Sequence, residues 1–391
     1  MKTLVNLLFW GIVASQGMAA ERGIFGLYGD TPDAKHAWAV HDFNRPYPKQ
    51  VETPIGKPPS DAIVLFDGTQ KSVDENWCDD QGKPTKWRVK DGLFVCVPRS
   101  GMACTKRAFG DAQLHVEWMS PVADAQKHGQ LGGNSGVFPM GMYEIQILNS
   151  YDPDPNADVT RNYPDGIAGS AYAENPPLVN ASRPAGEWQS YDIVFHQPIW
   201  DGTNLVHAGT ITVFHNGVLV QDAWELEGMS THRVRRPLVP HPTKLPWKLQ
   251  DHGDPVPFRN IWIREIPSRW ANTTHSVMSA KEADVRALRE QIAAKLFAQI
   301  DPAKPDVRNV NAILEVLSYS KLPKYTDTAK TLCGGYEKML RSLPEKDLDS
   351  VRTYVTGTLK GFDVLLRNQV IAPADYPLYA TLQEIVRKKK W

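Results

Sequence analysis

The second half of Gly132–Ser150, GGNSGVFPMGMYEIQILNS, alternates strictly between two faces. Strand side chains have a period of two, so Tyr143, Ile145, Ile147 and Asn149 point one way and Glu144, Gln146 and Leu148 the other. An apolar row packed on a core leaves Glu144 and Gln146 together on the opposite face. Asn134, Ser135 and Gly136 add a polar approach to that face. Taken alone the segment reads as a half-buried strand with a polar outer side, so its neighbours have to decide what it presents.

The same period recurs through residues 61–267. AIVLF (62–66) runs into the turn pair Asp67-Gly68, while KWRVK (86–90) and LFVCVP (93–98) flank Asp91-Gly92 as a hairpin. AQLHVEW (112–118) sets Leu114, Val116 and Trp118 against His115 and Glu117. WQSYDIVFHQ (188–197), GTITVFHNGVLVQ (209–221) and FRNIWIREI (258–266) continue the series, with Asn216-Gly217 as the strongest hairpin signal. Many short strands, regular turns and no interleaved helices predict an all-β sandwich. After Pro267 the period changes. Residues 268–278 read as a linker, Ser279 to Glu282 form a capping box, and Val285, Leu288, Ile292, Leu296 and Ile300 keep helical spacing. Further helices are predicted at 307–319, 325–343, 345–366 and 374–390. A C-terminal α-helical domain, 279–391, separable from the sandwich, follows.

The N-terminal segment reads differently again. Lys2, the apolar run LVNLLFWGIVA and the small residues ending at Ala19-Ala20 make residues 1–20 a signal peptide, too short to anchor the chain in a bilayer. The expectation is an exported protein, periplasmic or secreted, without a transmembrane anchor. Residues 21–60 form a Pro-rich extended arm carrying Trp38, Phe43 and Tyr47, expected to lie over the β domain. Export also bears on the cysteines. Cys96 and Cys104 lie symmetrically about Pro98–Met102, which in a regular hairpin opposes them and predicts a disulfide.

Charge narrows the partners. With 44 basic and 44 acidic side chains there is no global field to attract nucleic acid. The 12 Trp and 13 Tyr suit stacking on sugars as well as they suit a sandwich core. Cleavage of a glycosidic bond ordinarily uses two carboxyl groups, and lectin-like glucanases supply them from one strand as E-x-D-x-x-E. Here Gln146 and Asn149 stand where further acids would be needed, and neither exchanges protons at neutral pH. A partner carboxylate would have to come from another strand, Glu117 first.

LFDGT (65–69), WRVKDGLF (87–94), TKRAFGDAQLHVEW (105–118), NSGVF (134–138), YEIQILNS (143–150), PAGEWQSYDIVF (184–195), HNG (215–217) and LQDHGDPVPFRNIWIREI (249–266) resemble, in this order, the 3-keto-disaccharide hydrolase family. The likeness covers residues 61–267 and leaves out the arm and the helices. It implies a concanavalin A-like lectin/glucanase sandwich, a jelly roll. It departs at Leu245-Pro246-Trp247-Lys248, where the family tends to have Gly-Pro-Ile-Gly, so strand geometry there is open. The chemistry it implies is cleavage of 3-keto-glucosides by β-elimination, hydration or both, with net glycoside hydrolysis. A C3 ketone, installed by a separate upstream sugar 3-dehydrogenase, acidifies the C2 proton; a base removes it and the C1 substituent leaves.

On that resemblance Glu144 and His252 are the catalytic candidates, with Asn134, Gln146, Tyr172, Trp188, Gln250, Arg259 and Asn260 on the substrate. Tyr172 would cap the site, Trp188 would stack, and Arg259 and Asn260 would hold the ketone side. A divalent metal such as calcium or manganese would use Glu144, His252 and Asp152. Two other classes stay open: a non-catalytic, lectin-like carbohydrate-binding protein, and an interaction protein that works through its helices.

Overall fold

The protein is described from a computed structural model over residues 29–124, 129–152, 162–268 and 277–391. The expected signal peptide, residues 1–20, and most of the expected 268–278 linker lie outside the described residues. The chain divides into two units, a β unit from Lys49 to His275 and a helical unit containing the remainder.

In chain order the strands are β1 (Ile63–Phe66), β2 (Trp77–Cys78), β3 (Arg88–Lys90), β4 (Leu93–Val95), β5 (Ala103–Phe109) and β6 (Ala112–Met119). Next come β7 (Ser135–Phe138), β8 (Ile145–Ile147), β9 (Trp188–His196), β10 (Ile199–Asp201), β11 (Asn204–His207) and β12 (Thr210–His215). The last are β13 (Val218–Glu225), β14 (Gly228–Met229), β15 (Arg236–Pro237), β16 (Leu245–Leu249) and β17 (Pro257–Glu265). An eight-stranded sheet runs β13-β12-β9-β6-β17-β4-β3, with β1 also on β17, and a five-stranded sheet runs β2-β5-β16-β7-β8. Pairing in both is antiparallel.

Alternation explains why the sheets face each other. Leu114, Val116 and Trp118 of β6, Tyr191, Ile193 and Phe195 of β9, and Ile211 and Val213 of β12 are buried in the same core as Val137, Ile145, Ile147, Trp247 and Leu249 from the smaller sheet. The Phe195 and Trp247 rings meet edge-on, centroids 5.7 Å apart at 87°. Tyr191 is fully buried, and its hydroxyl crosses the layer to donate to the Gln146 carbonyl at 2.6 Å. That bond satisfies a polar group that would otherwise be costly to bury. The Asn216-Gly217 hairpin forms as expected, both residues having positive φ. Leu245–Leu249 is a strand despite Pro246: the register slips between Pro246 and Lys248, and such a bulge is where a strand interior tolerates proline.

Two expectations fail. Cys96 and Cys104 are not a pair; all four cysteines are free and buried. The segment between them is no hairpin. Cys96 donates its N–H to Val256 beside the larger sheet, whereas Cys104 sits in β5 of the smaller one, directly opposite Cys78. The arm, for its part, is anchored within the helical unit. Trp38 and Ala39 join the helical core, Asn44 donates to Glu315 at 2.6 Å, the Tyr319 hydroxyl donates to Asp42, and Arg289 donates to the Asp33 carbonyl. Of its aromatics Trp38 packs on that core, whereas Tyr47 is exposed.

The helices of the helical unit are Val277–Phe297, Val307–Tyr319, Pro323–Ser342, Arg352–Arg367 and Pro377–Lys389, with a 3-10 turn over Glu345–Val351; one short helix, Gln70–Asn76, is interleaved in the β unit against expectation. Asp306 caps the second by accepting from the Asn309 N–H. No helix among the described residues is long and apolar enough to cross a membrane.

Because the arm is held by the helices, truncation should separate the units only if both go together. A chain of residues 49–268 is expected to unfold in one cooperative transition. One that ends at Thr273 but keeps residues 29–48 should lose that arm to limited proteolysis. Arm cleavage at equal rates in the full chain and the truncated one would contradict this.

Candidate active site

The outer face of the five-stranded sheet carries the Glu144 side chain. Gly136 pairs with Gln146 and Val137 with Ile145, so the register carried one residue further sets Glu144 beside Phe138. Phe138 in turn pairs with Lys248, Lys248 with Cys104, and Cys104 with Cys78, all pointing away from the core. Glu144, Phe138 and Lys248 thus form one cross-strand row. Lys248 lies two strand spacings from Glu144, about 10 Å, and its ammonium is paired with Asp80 at 2.8 Å.

Glu144 is buried, 6 % exposed, although it belongs to an outward face. The loops explain it. Tyr172 donates its N–H to the Glu144 carbonyl, Ala171 bridges to Ile145, and the Glu144 N–H is held by the Ser230 hydroxyl at 2.8 Å. Residues 162–175 and 228–232 are therefore stitched to the strand on both sides of the carboxyl. Below it Gly136 leaves the space that the carboxyl occupies. A Cβ there would lie 2.4 Å from Glu144 Oε1 and 3.0 Å from its Cγ. Burial alone pushes the Glu144 carboxyl up to about 8, with no neighbouring charge contributing.

Above the carboxyl stands a chain of polar groups. The Tyr172 hydroxyl lies 2.8 Å from the Tyr163 hydroxyl and 2.8 Å from His232 Nδ1. The Tyr172 ring is 7 % exposed, whereas His232 is open to solvent. Gly166 makes room for the Tyr163 ring, whose Cε2 would be 2.0 Å from a Cβ at that position. Burial raises the Tyr172 phenol above its ordinary value, with the Tyr163 hydrogen bond and the charges of Tyr163, Glu144 and Asp165 adding to it.

The structure divides the residues expected at the site. Glu144 and Tyr172 are brought together. Gln146 and Asn134 are neighbours too, but their polar groups are already used. The Gln146 amide donates to Asn134 Oδ1 and to the Ser135 and Ile147 carbonyls, while Asn134 donates to Gln130 and takes Asp254 on its own N–H. These bonds place both residues in the wall of the site. Gln250 donates its N–H to the Gly136 carbonyl, so the turn that follows, with exposed His252, leaves from the strand beside Gly136. Among the described residues no hydrogen bond or ion pair joins the His252 ring to Glu144.

Trp188, Arg259 and Asn260 are elsewhere. They stand on the outer face of the eight-stranded sheet, across the core from Glu144, because β9 and β17 turn the opposite parity outward. The Arg259 guanidinium lies 3.9 Å over the Trp188 ring and donates to Glu117 at 2.6 Å; Asn260 donates to Glu117 at 2.8 Å; His115 contacts Asp192 at 2.7 Å. A slip in the β17 register between Arg259 and Trp262, with Asn260 at φ 48°, turns both adjacent residues outward. Burial opposes the charge on Glu117, yet its bonds to Asn260 and Arg259 outweigh it and hold the carboxyl below its usual range. This is a closed structural network, and Glu117 cannot act as partner to Glu144.

The expected metal set does not fit either. Among the described residues no group of three or more His, Cys, Asp and Glu side chains is gathered to hold an ion. Sequence reasoning passed over Tyr163, Ser230, His232, Phe138 and Lys248. His232 and Ser230 sit in a stretch without strand or helix period, so only the loop's path reveals them.

A two-sheet sandwich whose smaller sheet has a loop-covered outer face enclosing one carboxyl has the architecture of the carbohydrate-active lectin and glucanase class. Residues 61–264 match the 3-keto-alpha-glucoside-1,2-lyase-like domain, and the chain belongs to that family, one of carbohydrate-active hydrolases and lyases. A "putative glycosyl hydrolase" of Parabacteroides distasonis is similar at 37% identity, covering 57% of this chain and 94% of its own, with a TM-score of 0.52. A second one from the same organism is 19% identical over 53% of this chain and 94% of its own, TM-score 0.39. No curated protein matches the chain.

Two outcomes follow from the site's construction. From the usual carboxylate range up to about 8 the unfolded chain releases the Glu144 proton while the folded one keeps it. Folded stability is therefore lost as pH rises through that window. Glu144→Gln should raise the melting temperature, by ~4–8 °C near pH 7 for a gain on the order of 2 kcal/mol. The gap should shrink toward pH 5, and calorimetry at both pH values decides. Arg259→Met should instead lower the folding stability, by roughly 1–2 kcal/mol, and leave turnover at the distant Glu144 site unchanged.

Proposed function

We propose that the β domain cleaves 3-keto-glucosides by elimination, with Glu144 as the base that removes the C2 proton. One observation carries this. The Glu144 carboxyl is buried and pushed up to about 8 by burial alone, with no second carboxyl acting on it among the described residues. A two-carboxylate hydrolase needs a second acid beside the first, and its charge would be felt as mutual repulsion. None is felt here among the described residues. Elimination calls for one carboxylate base and not a carboxylate pair, and a base is most useful when its pKa is near the working pH.

In this scheme the C3 ketone acidifies the C2 proton and ionised Glu144 takes it. The enolate electrons then expel the C1 substituent, and water adds afterwards to give net hydrolysis. The enolate oxygen needs a hydrogen-bond donor. Arg259 and Asn260 are on the wrong face, so we assign this role to His252, the exposed group on the turn beside Gly136. The substrate has to be oxidised at C3 by another enzyme first. The first twenty residues make export, to the periplasm or outside the cell, part of the same reading.

Wild-type protein and variants are to be incubated with a 3-keto-glucoside and its unoxidised parent in deuterated water. Wild type should exchange deuterium into C2 or release the aglycone from the ketone only, with kcat/KM rising through pH about 8. Glu144→Gln should lose on the order of 100- to 10,000-fold, and His252→Ala on the order of 100-fold. Cleavage of the parent alone would sink the elimination scheme.

A further inference from the structure

Proton removal is half of the reaction; an alkyl aglycone leaving as an alkoxide is too basic to depart unaided at neutral pH. We propose that Tyr172, held by His232 and Tyr163, delivers the proton to the aglycone oxygen as the C1–O bond breaks. The inference rests on the reading of Glu144 as the C2 base.

Position comes first. The Tyr172 N–H is bonded to the Glu144 carbonyl itself, and Ala171 bridges to Ile145, so base and phenol are carried on paired backbone. The Ser230 hydroxyl on the Glu144 N–H, with the Ser230 N–H on the Met142 carbonyl, ties His232's loop to the same strand. Base and phenol cannot drift apart independently.

Hydrogen bonding then aims the proton. A phenolic oxygen has one hydrogen and two acceptor lone pairs. Tyr163 and His232 Nδ1 both stand 2.8 Å from it. When each donates, Tyr172 accepts twice and its own O–H is left for a third atom. In the elimination Glu144 takes the C2 proton, and the C2–H pair becomes first the enolate and then the C1–C2 double bond. The ketone reforms at C3, and the aglycone oxygen keeps the C1–O pair and takes the Tyr172 proton. His232, open to solvent, returns a proton to the phenolate, and Glu144 gives its own back to solvent. His232 acts through Tyr172 and is a positioning residue.

Leaving-group dependence tests this without relying on overall activity. Tyr172→Phe should exchange deuterium into C2 at the wild-type rate and release a nitrophenyl aglycone from its 3-keto-glucoside almost normally. On the methyl 3-keto-glucoside it should lose on the order of 100-fold or more. His232→Gln, a change at an exposed side chain, should show the same pattern at smaller amplitude. An equal loss on both aglycones, or full rate on the methyl glucoside, overturns the assignment to Tyr172 and leaves Glu144 standing. Absence of C2 exchange in the wild-type protein fails one step earlier, and takes the Glu144 reading and the relay down together.

Discussion

A buried carboxyl with no charged partner among the described residues is the constraint around which the β domain is arranged. Glu144 sits on the outward face of a sheet edge, where a carboxylate would ordinarily be solvated at no cost. Two loops close over it and a glycine opens beneath it, and its carboxyl rises to about 8. Nothing in the core needs this. The Tyr143, Ile145 and Ile147 row would pack as well with a different residue at 144, and the fold would be more stable for the change. Stability given up at one position while everything around it is satisfied points to a chemical purpose.

The loops achieve this by backbone hydrogen bonds more than by side chains. Tyr172 and Ser230 meet Glu144 through its own carbonyl and N–H, so the edge strand β8 is continued by loop backbone where the sheet ends. An unpaired strand edge is thereby covered. The same bonds that close the edge hold the two loops at the carboxyl, and the Tyr163–Tyr172–His232 chain is brought in by the residues that do the closing.

How much of this the sequence discloses depends on the physics of each part. Alternation in Leu114, Val116 and Trp118 is a local signal with a global consequence, so the sandwich and the inward rows are legible. So is the face that bears Glu144. Parity within a strand says which residues share a face, but not which sheet the strand joins. Glu144 and Arg259 therefore read as companions from their motifs, although β8 and β17 lie in different sheets with the core between them. Cys96 and Cys104 fail for the same reason: their symmetric spacing is real, but the chain crosses between sheets there. Trp38 announces burial without naming the partner, which is the helical core, while Tyr47 is exposed after all.

The two outer faces of the sandwich show what distinguishes a candidate site from a polar surface. The eight-stranded sheet is the richer in charge, with His115, Glu117, Asp192 and Arg259 within a few residues of one another, and Trp188 beneath the guanidinium. Each of those groups has an oppositely charged or hydrogen-bonding partner, and Glu117 is held below its usual range as a paired carboxylate should be. Such a network is spent on its own members. On the five-stranded face Glu144 has no countercharge among the described residues, and beside it lies a phenol with two neighbours able to donate to it. Reactivity resides in what is left unsatisfied, so the sparser face is the one that can take hold of a proton from something that is not protein.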